Sequence, residues 1–276
     1  MKMVKCWRKN VSLSSFWVGR HDGQASDFYA SSLQAGEGAL PLLLARLGQS
    51  ALTVSFLAWS VTSSPSPYWL IYLTNWGLLL LTSMTLSGLL VSVMAVCNQF
   101  RDCSGLPWYV SMYWLLHNVA VSIAIMITVL YWTLIYDANA TEEPVSKPAF
   151  WLDVATHAFN SCIAVSELLL TRTPVSYLHL YQPAGLGLWY AAFSGIYYLA
   201  GGTDAKGMPY IYAVLDWRQT AVTALVVAGS FAGLVIIYTG VWAAARARDR
   251  LSDACIRTKG HDLPYVAPDN GPPAVV

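Results

Sequence analysis

Long apolar blocks separated by short polar stretches organise this chain. A bilayer crossing needs about 20 mostly apolar residues, and six segments reach that length: about 39–61, 67–97, 108–136, 151–171, 184–201 and 221–245. The first carries Arg46 near its start. The second is uncharged and long enough to tilt or overshoot, and the third is interrupted only by His117 and Asn118. The fifth is short and glycine-spaced, and the sixth is the most apolar. The pattern predicts an all-α polytopic membrane protein of six transmembrane helices. One membrane domain, about 39–245, lies between an N-terminal segment (1–38) and a tail (246–276) whose end, HDLPYVAPDNGPPAVV, predicts disorder. No internal repeat is evident.

Composition narrows the class. Hydrophobic residues make up 56% and charged residues 11%, against about 25% charge in soluble domains. Twelve Trp and sixteen Tyr suit aromatic belts at two interfaces. Lys2, Lys5, Arg8, Lys9 and Arg20 crowd one end, and Arg246, Arg248, Arg250, Arg257 and Lys259 the other, so both termini are expected to be cytoplasmic. The first twenty residues are too polar for a signal peptide, which leaves targeting to the first span. The loop 137–150 then faces outward, where the sequon at Asn139 can be glycosylated. The sequon at Asn10 would face the cytosol and stay silent. Plasma membrane and endomembranes both fit this topology. The net charge of +1 and the lack of zinc-finger or phosphate-loop motifs give no reason to expect nucleic acid. The five Cys have no metal-ligand spacing, so neither metal nor cofactor is expected. The partner implied is the lipid bilayer.

Polar residues inside the spans are the candidates for chemistry. His157, Asn160 and Glu167 fall within about 80° on one helical stripe of 151–171. Such groups face a protein interior or a wet cavity, or only bond helices together. Thr74 and His157 each lie roughly 10 Å below the outer edge at about 1.5 Å per residue, so they can share a layer as nucleophile and base. Alternatively, the Thr74 hydroxyl bonds back to its own helix. Asp153, one turn before His157, is a candidate to orient the ring, or else complements the helix dipole. Asn75 and Asn160 are conceivable oxyanion donors. Glu167 is about 15 Å deeper than His157, with Arg172, inner headgroups or His117 as candidate partners. Arg46 is expected to snorkel to the inner interface. His117 reads as a buried neutral side chain. The loop 201–217, with Asp204 and Asp216, reads as an outer turn and lid near the Thr74–His157 layer.

The strings WLIYLTNWGLLLL (69–81), ATHAFNS (155–161), SELLL (166–170) and GGTDAKGMPYIYAVLDW (201–217) resemble the rolling stone family of multipass membrane proteins. The likeness covers about residues 10–245. It implies an association with myoblast fusion and a plasma-membrane role. More distantly, the layout is similar to the androgen-induced and androgen-dependent membrane proteins, six-span hydrolases of fatty acid esters of hydroxy fatty acids. Their aromatic-Leu-Thr pattern matches Tyr72-Leu73-Thr74, and their Trp-Leu-Asn, His and Glu pattern matches Trp151-Leu152-Asp153, His157 and Glu167. That resemblance implies Thr74 as nucleophile, His157 as base and a fatty-acyl lipid ligand. Val154 stands where those proteins have a further His, and His179 is single where they have a pair.

Three functional classes follow. A fusion-associated membrane protein would use its polar residues for assembly. A lipid hydrolase would use Thr74 and His157 for acyl transfer. A transporter would use the buried His and Glu residues as a proton relay, but no inverted repeat or pair of broken helices accompanies them.

Overall fold

The computed structural model describes residues 18, 21, 23–63, 65–100, 106–136 and 147–257. Asn10, Arg101, Asn139 with residues 137–146 of its loop, and the Pro-rich tail lie outside the described residues.

The apolar blocks form α1 (Leu40–Ser63), α2 (Leu73–Val96), α3 (Trp108–Leu130), α4 (Lys147–Val154), α5 (Asn160–Leu170), α6 (Tyr181–Leu199) and α7 (Thr220–Ser252). A π-helical turn, Tyr131–Ile135, prolongs α3, and another, Ala155–Phe159, joins α4 to α5. Four helices are long and apolar enough to cross a membrane: Leu40–Ser63, Leu73–Val96, Trp108–Ile135 and Trp217–Arg257. The composite α4–α5 helix and α6 pack beside them.

Several boundaries differ from the hydropathy pattern for local reasons. The second apolar block opens at Leu73 rather than near 67, with a separate short turn at Trp69–Ile71 ahead of it in the loop 65–72. Asn75 Nδ2 donates to Trp69 O (2.6 Å) and Trp76 Nε1 to Leu70 O (2.7 Å), tying the loop to α2. Asn98 then takes a left-handed conformation, φ 57°, just past the end of α2, a role Asn fills better than most residues. The helix α7 continues well past 245, because Arg248 reaches back into the bundle instead of leaving it.

The third helix is the hub. It touches α2, α5, α6 and α7, and every residue from His117 to Ala124 is buried. Gly77 lets α2 approach it closely: a Cβ there would lie 2.2 Å from Ile127 Cδ1. Gly77, Leu81, Thr85, Gly88 and Ser92 form the buried face of α2, a row of mostly small residues.

The N-terminal segment closes the end of the bundle opposite Thr74. Ser31 and Thr171 form an antiparallel bridge, and Ser32 N–H donates to Leu170 O at 2.8 Å. Arg172 donates to the carbonyls of Ser31, Gln34 and Gly36. Ser252 Oγ donates to Ser32 O at 2.6 Å, and Phe28 is completely buried. At least from Gln24 onward, the segment is a fitted cap.

Candidate functional site

Thr74 stands in the first turn of α2, and His157 on the π turn between α4 and α5. Thr74 Oγ1 lies 3.2 Å from His157 Nε2. The other ring nitrogen, Nδ1, faces the Asp153 carbonyl oxygen at 2.9 Å and Thr156 Oγ1 at 3.1 Å. A carbonyl can only accept, so Nδ1 carries the proton, and in the neutral ring Nε2 then presents a lone pair. The Thr74 hydroxyl therefore donates to Nε2, the polarity that general-base activation of a nucleophile requires.

Asp153 orients this ring through its backbone, not its carboxylate. A helical residue four positions before a histidine presents its carbonyl to that face, and here the imidazole takes it. The Asp153 carboxylate interacts instead with the Tyr131 hydroxyl. Each of the two proposed amide donors gives one of its two N–H groups to a backbone carbonyl. Asn75 Nδ2 is on Trp69 O, and Asn160 Nδ2 donates to Thr156 O at 3.2 Å.

Two π turns meet at the site. The wider turns of α3 and of α4–α5 put Tyr131 flat against His157, with ring centroids 3.5 Å apart and planes 7° apart. A π turn leaves a carbonyl without its usual helical partner, and Thr128 of α3 donates its hydroxyl to His157 O. Ser161 Oγ returns a bond to Ala124 O at 2.9 Å. These cross-helix bonds hold the irregular backbone, a device that recurs at functional positions.

Thr74 sits where two cavities meet. A polar vestibule of about 600 Å³ contains His157, Asp153 and, from the 200–219 loop, Asp204 and Lys206. A narrow slot of about 120 Å³, walled by apolar residues of α3, α6 and α7, runs the other way. Thr74, Tyr131, Leu134, Ile135, Tyr212 and Val214 line both. Leu188 and Phe231, on the slot's outer wall, are 57% and 39% exposed, so the slot lies against the apolar outer surface of the bundle.

The 200–219 loop that roofs the vestibule is firmly built. Gly201 and Gly207 take positive φ, 76° and 78°, which only glycine adopts at little cost. Asp204 Oδ1 accepts from the N–H groups of Lys206 (2.8 Å) and Met208 (2.7 Å). At its far end Asp216 is paired with Arg218 at 2.7 Å, which holds the Asp216 carboxyl below its ordinary range, chiefly through the Arg218 hydrogen bond. A depressed pKa stabilises the folded form above the unfolded value, near 4, and that contribution is lost as pH falls through the folded value. Protection factors of the 213–220 amides, which already allow for the slower intrinsic exchange in acid, are therefore expected to fall below about pH 4, and Asp216→Asn should show the lower protection already at neutral pH.

The buried charges lie at the opposite end. Arg46 does not snorkel. It is 0% exposed and paired with Glu167, itself 1% exposed, at 2.8 Å. Its guanidinium also donates to Phe28 O, Gly88 O, Ser92 Oγ and the Tyr113 hydroxyl. Tyr113 in turn donates to Glu167 Oε1 at 2.6 Å. A charge this far from water is held by many acceptors or not at all. Arg172 is engaged with the N-terminal cap rather than with Glu167. His117 is fully buried in this interior, and Asn118 Nδ2 lies 3.1 Å from both His179 Nδ1 and Gln182 Oε1.

The sequence reading missed Tyr131, Thr128, Thr156 and Tyr212 around Thr74, and the partnership of Arg46 with Glu167. For the last a signal existed. The two opposite charges lie near the same end of their predicted spans, and equal depth favours pairing. No comparable signal marks the π turns.

Fold and site define a helical, multipass membrane protein with a Thr–His pair between a polar vestibule and an apolar slot. The chain belongs to the rolling stone family, whose profile, described as "Protein rolling stone", matches residues 3–254. It is 30% identical over 161 residues to Protein rolling stone of Drosophila melanogaster, a match covering 54% of this chain and 56% of that protein. The aligned part is thus little more than half of that relative's length. No solved structure matches the chain.

Proposed function

We propose that the chain is a membrane-embedded hydrolase of fatty-acyl esters, with Thr74 as nucleophile and His157 as general base. The observation that carries this reading is the 3.2 Å approach of Thr74 Oγ1 to a His157 Nε2 that bears the lone pair. Its position between the two cavities supports the substrate class: an acyl chain fits the apolar slot, while the ester's alcohol portion and water reach Thr74 from the vestibule. Thr74 gives its proton to Nε2 as Oγ1 attacks the ester carbonyl. The same proton passes to the departing alcohol, and water resolves the acyl-enzyme by the reverse sequence.

In the accompanying topology, α1, α2, α3, the composite α4–α5, α6 and α7 make six crossings of the bilayer. Both termini are cytoplasmic, the vestibule opens outward, and the Arg46–Glu167 pair lies toward the inner leaflet. Asn139 would then lie outside, available for glycosylation.

The test is labelling of the full-length protein in nanodiscs with a fluorophosphonate. Wild type is expected to label, and Thr74→Ala and His157→Ala to label at no more than background. A folded wild type that fails to label would refute the proposal. Family membership supports a second reading, the myoblast-fusion association implied by the rolling stone resemblance. If the polar residues serve assembly alone, Thr74→Ala restores fusion in cells lacking the protein as fully as wild type does. If hydrolysis underlies the role, it does not.

A further inference from the structure

The hydrolase reading lacks one part: a donor for the negative charge that develops on the carbonyl oxygen. Asn75 and Asn160, the amides nearest in sequence, each have their Nδ2 held on a backbone carbonyl by one N–H, and Asn160 is completely buried. The groups that remain lie on the other side of Thr74. The first turn of a helix leaves N–H groups without helical acceptors. In α2 the N–H groups of Asn75 and Trp76 turn back to Tyr72 O, at 3.1 and 3.3 Å, and no side chain from Tyr72 caps the helix. The Tyr212 hydroxyl lies near the N–H groups of Leu73 and Thr74, near the Thr74 side chain and near the Tyr190 hydroxyl, and Tyr212 and Thr74 share the walls of both cavities.

Tyr212 is well placed for this contact. It sits in extended backbone, φ −130° and ψ 143°, just before a short turn at Ala213–Leu215. Its ring packs edge-on against Tyr72, with centroids 5.7 Å apart, and it lines both cavities beside Thr74. Thr74 has spent its proton on His157, so its oxygen is free to accept from the Tyr212 O–H.

We propose that Tyr212 is a further catalytic residue: its hydroxyl and the Thr74 amide hold the oxyanion formed when Thr74 attacks an ester. The inference rests on the hydrolase reading. In the step, the Thr74 O–H proton moves to His157 Nε2, the Oγ1–carbon bond forms, and the carbonyl π pair becomes a lone pair on the oxygen. That oxygen accepts from Tyr212 O–H and Thr74 N–H. When the pair returns, the ester C–O bond breaks and the alkoxide takes the proton from Nε2. Tyr212 neither gains nor loses a proton. Burial pushes its phenol up from the ordinary value, with the bonds from Thr74 opposing, which suits a group that must stay protonated while it donates.

The test uses full-length protein in nanodiscs, 4-nitrophenyl octanoate as substrate and octylboronic acid as the tetrahedral mimic. Tyr212→Phe is expected to lower kcat by about 10²–10³-fold, the usual effect of deleting one oxyanion donor, with KM little changed. Affinity for the boronic acid should fall by a similar factor, and affinity for octanoate should not. A purely structural role would move both ligands together. Tyr212→His, which restores a donor, should recover part of the loss and guards against a Phe variant that folds poorly. Full turnover by Tyr212→Phe beside an active wild type overturns the Tyr212 assignment and leaves the hydrolase reading standing. An inert, unlabelled wild type overturns both.

Discussion

Replacing Glu167 by leucine is expected to destabilise the bundle by about 3–5 kcal/mol, the usual effect of stranding one partner of a buried ion pair. Glu167 is 1% exposed and Arg46 is 0% exposed. Without the carboxylate, the guanidinium keeps Phe28 O, Gly88 O, Ser92 Oγ and Tyr113 as neutral partners but has no counter-charge. A guanidinium cannot shed its charge. Arg46→Leu is expected to be milder, because a lone carboxylic acid can take up a proton and become neutral. The double replacement, Arg46→Met with Glu167→Leu, should recover most of the loss, since it removes both desolvated charges together. Gly88→Ala should act in the same direction on a smaller scale, because its Cβ would lie 3.1 Å from Arg46 Nε. Unfolding of the purified protein by denaturing detergent, followed by circular dichroism, measures all four. Equal effects of the two single replacements, with no recovery in the double, would show that the pair is not coupled.

The legible part of this fold is the part that length and hydropathy control. The blocks containing 40–63, 73–96, 108–135 and 220–252 could be placed because a run of apolar side chains leaves the backbone no stable choice but helix. Their ends moved where local chemistry intervened. The bonds from Asn75 and Trp76 to Trp69 O and Leu70 O hold a loop ahead of α2, and the bonds from Arg248 to Leu168 O and Thr173 O tie down α7 beyond 245. Counting residues into each span brought Thr74 and His157 to one layer, and they do meet at 3.2 Å, but the helical rise behind that count does not hold for Thr74, because helix begins only at Leu73. What surrounds them was not legible. The π turn at 155–159 departs from the regular 100° spacing, so angular positions computed along 151–171 do not carry across it. Its freed carbonyl is met from another helix, by the Thr128 hydroxyl, and no pattern within 151–171 announces that contact. Tyr212 was hidden for a related reason. It lies in a loop, where neither periodicity nor depth says which side chain turns inward.

The way His157 is held leads to a second large effect with an unusual contrast. His157→Ala is expected to lower ester turnover by about 10²–10⁴-fold, the usual contribution of a positioned general base. In a Ser-His-Asp triad, Asp→Asn also costs about 10⁴-fold, because the amide stabilises the wrong tautomer of the ring. Here Nδ1–H is held by the Asp153 carbonyl oxygen at 2.9 Å, and that oxygen survives any side-chain replacement. Asp153→Asn should therefore keep turnover within about tenfold of wild type, far from a triad's loss, even though Asp153 stands one turn from the base. Its carboxylate acts on Tyr131, whose ring lies 3.5 Å from that of His157, so the residual effect should pass through ring position. Tyr131→Phe, which keeps the stacked ring and deletes the hydroxyl, should reproduce it. Steady-state kinetics on 4-nitrophenyl octanoate separates the cases. If Asp153→Asn is as inert as His157→Ala while both fold, the carboxylate and not the carbonyl sets the tautomer, and the site is a triad after all.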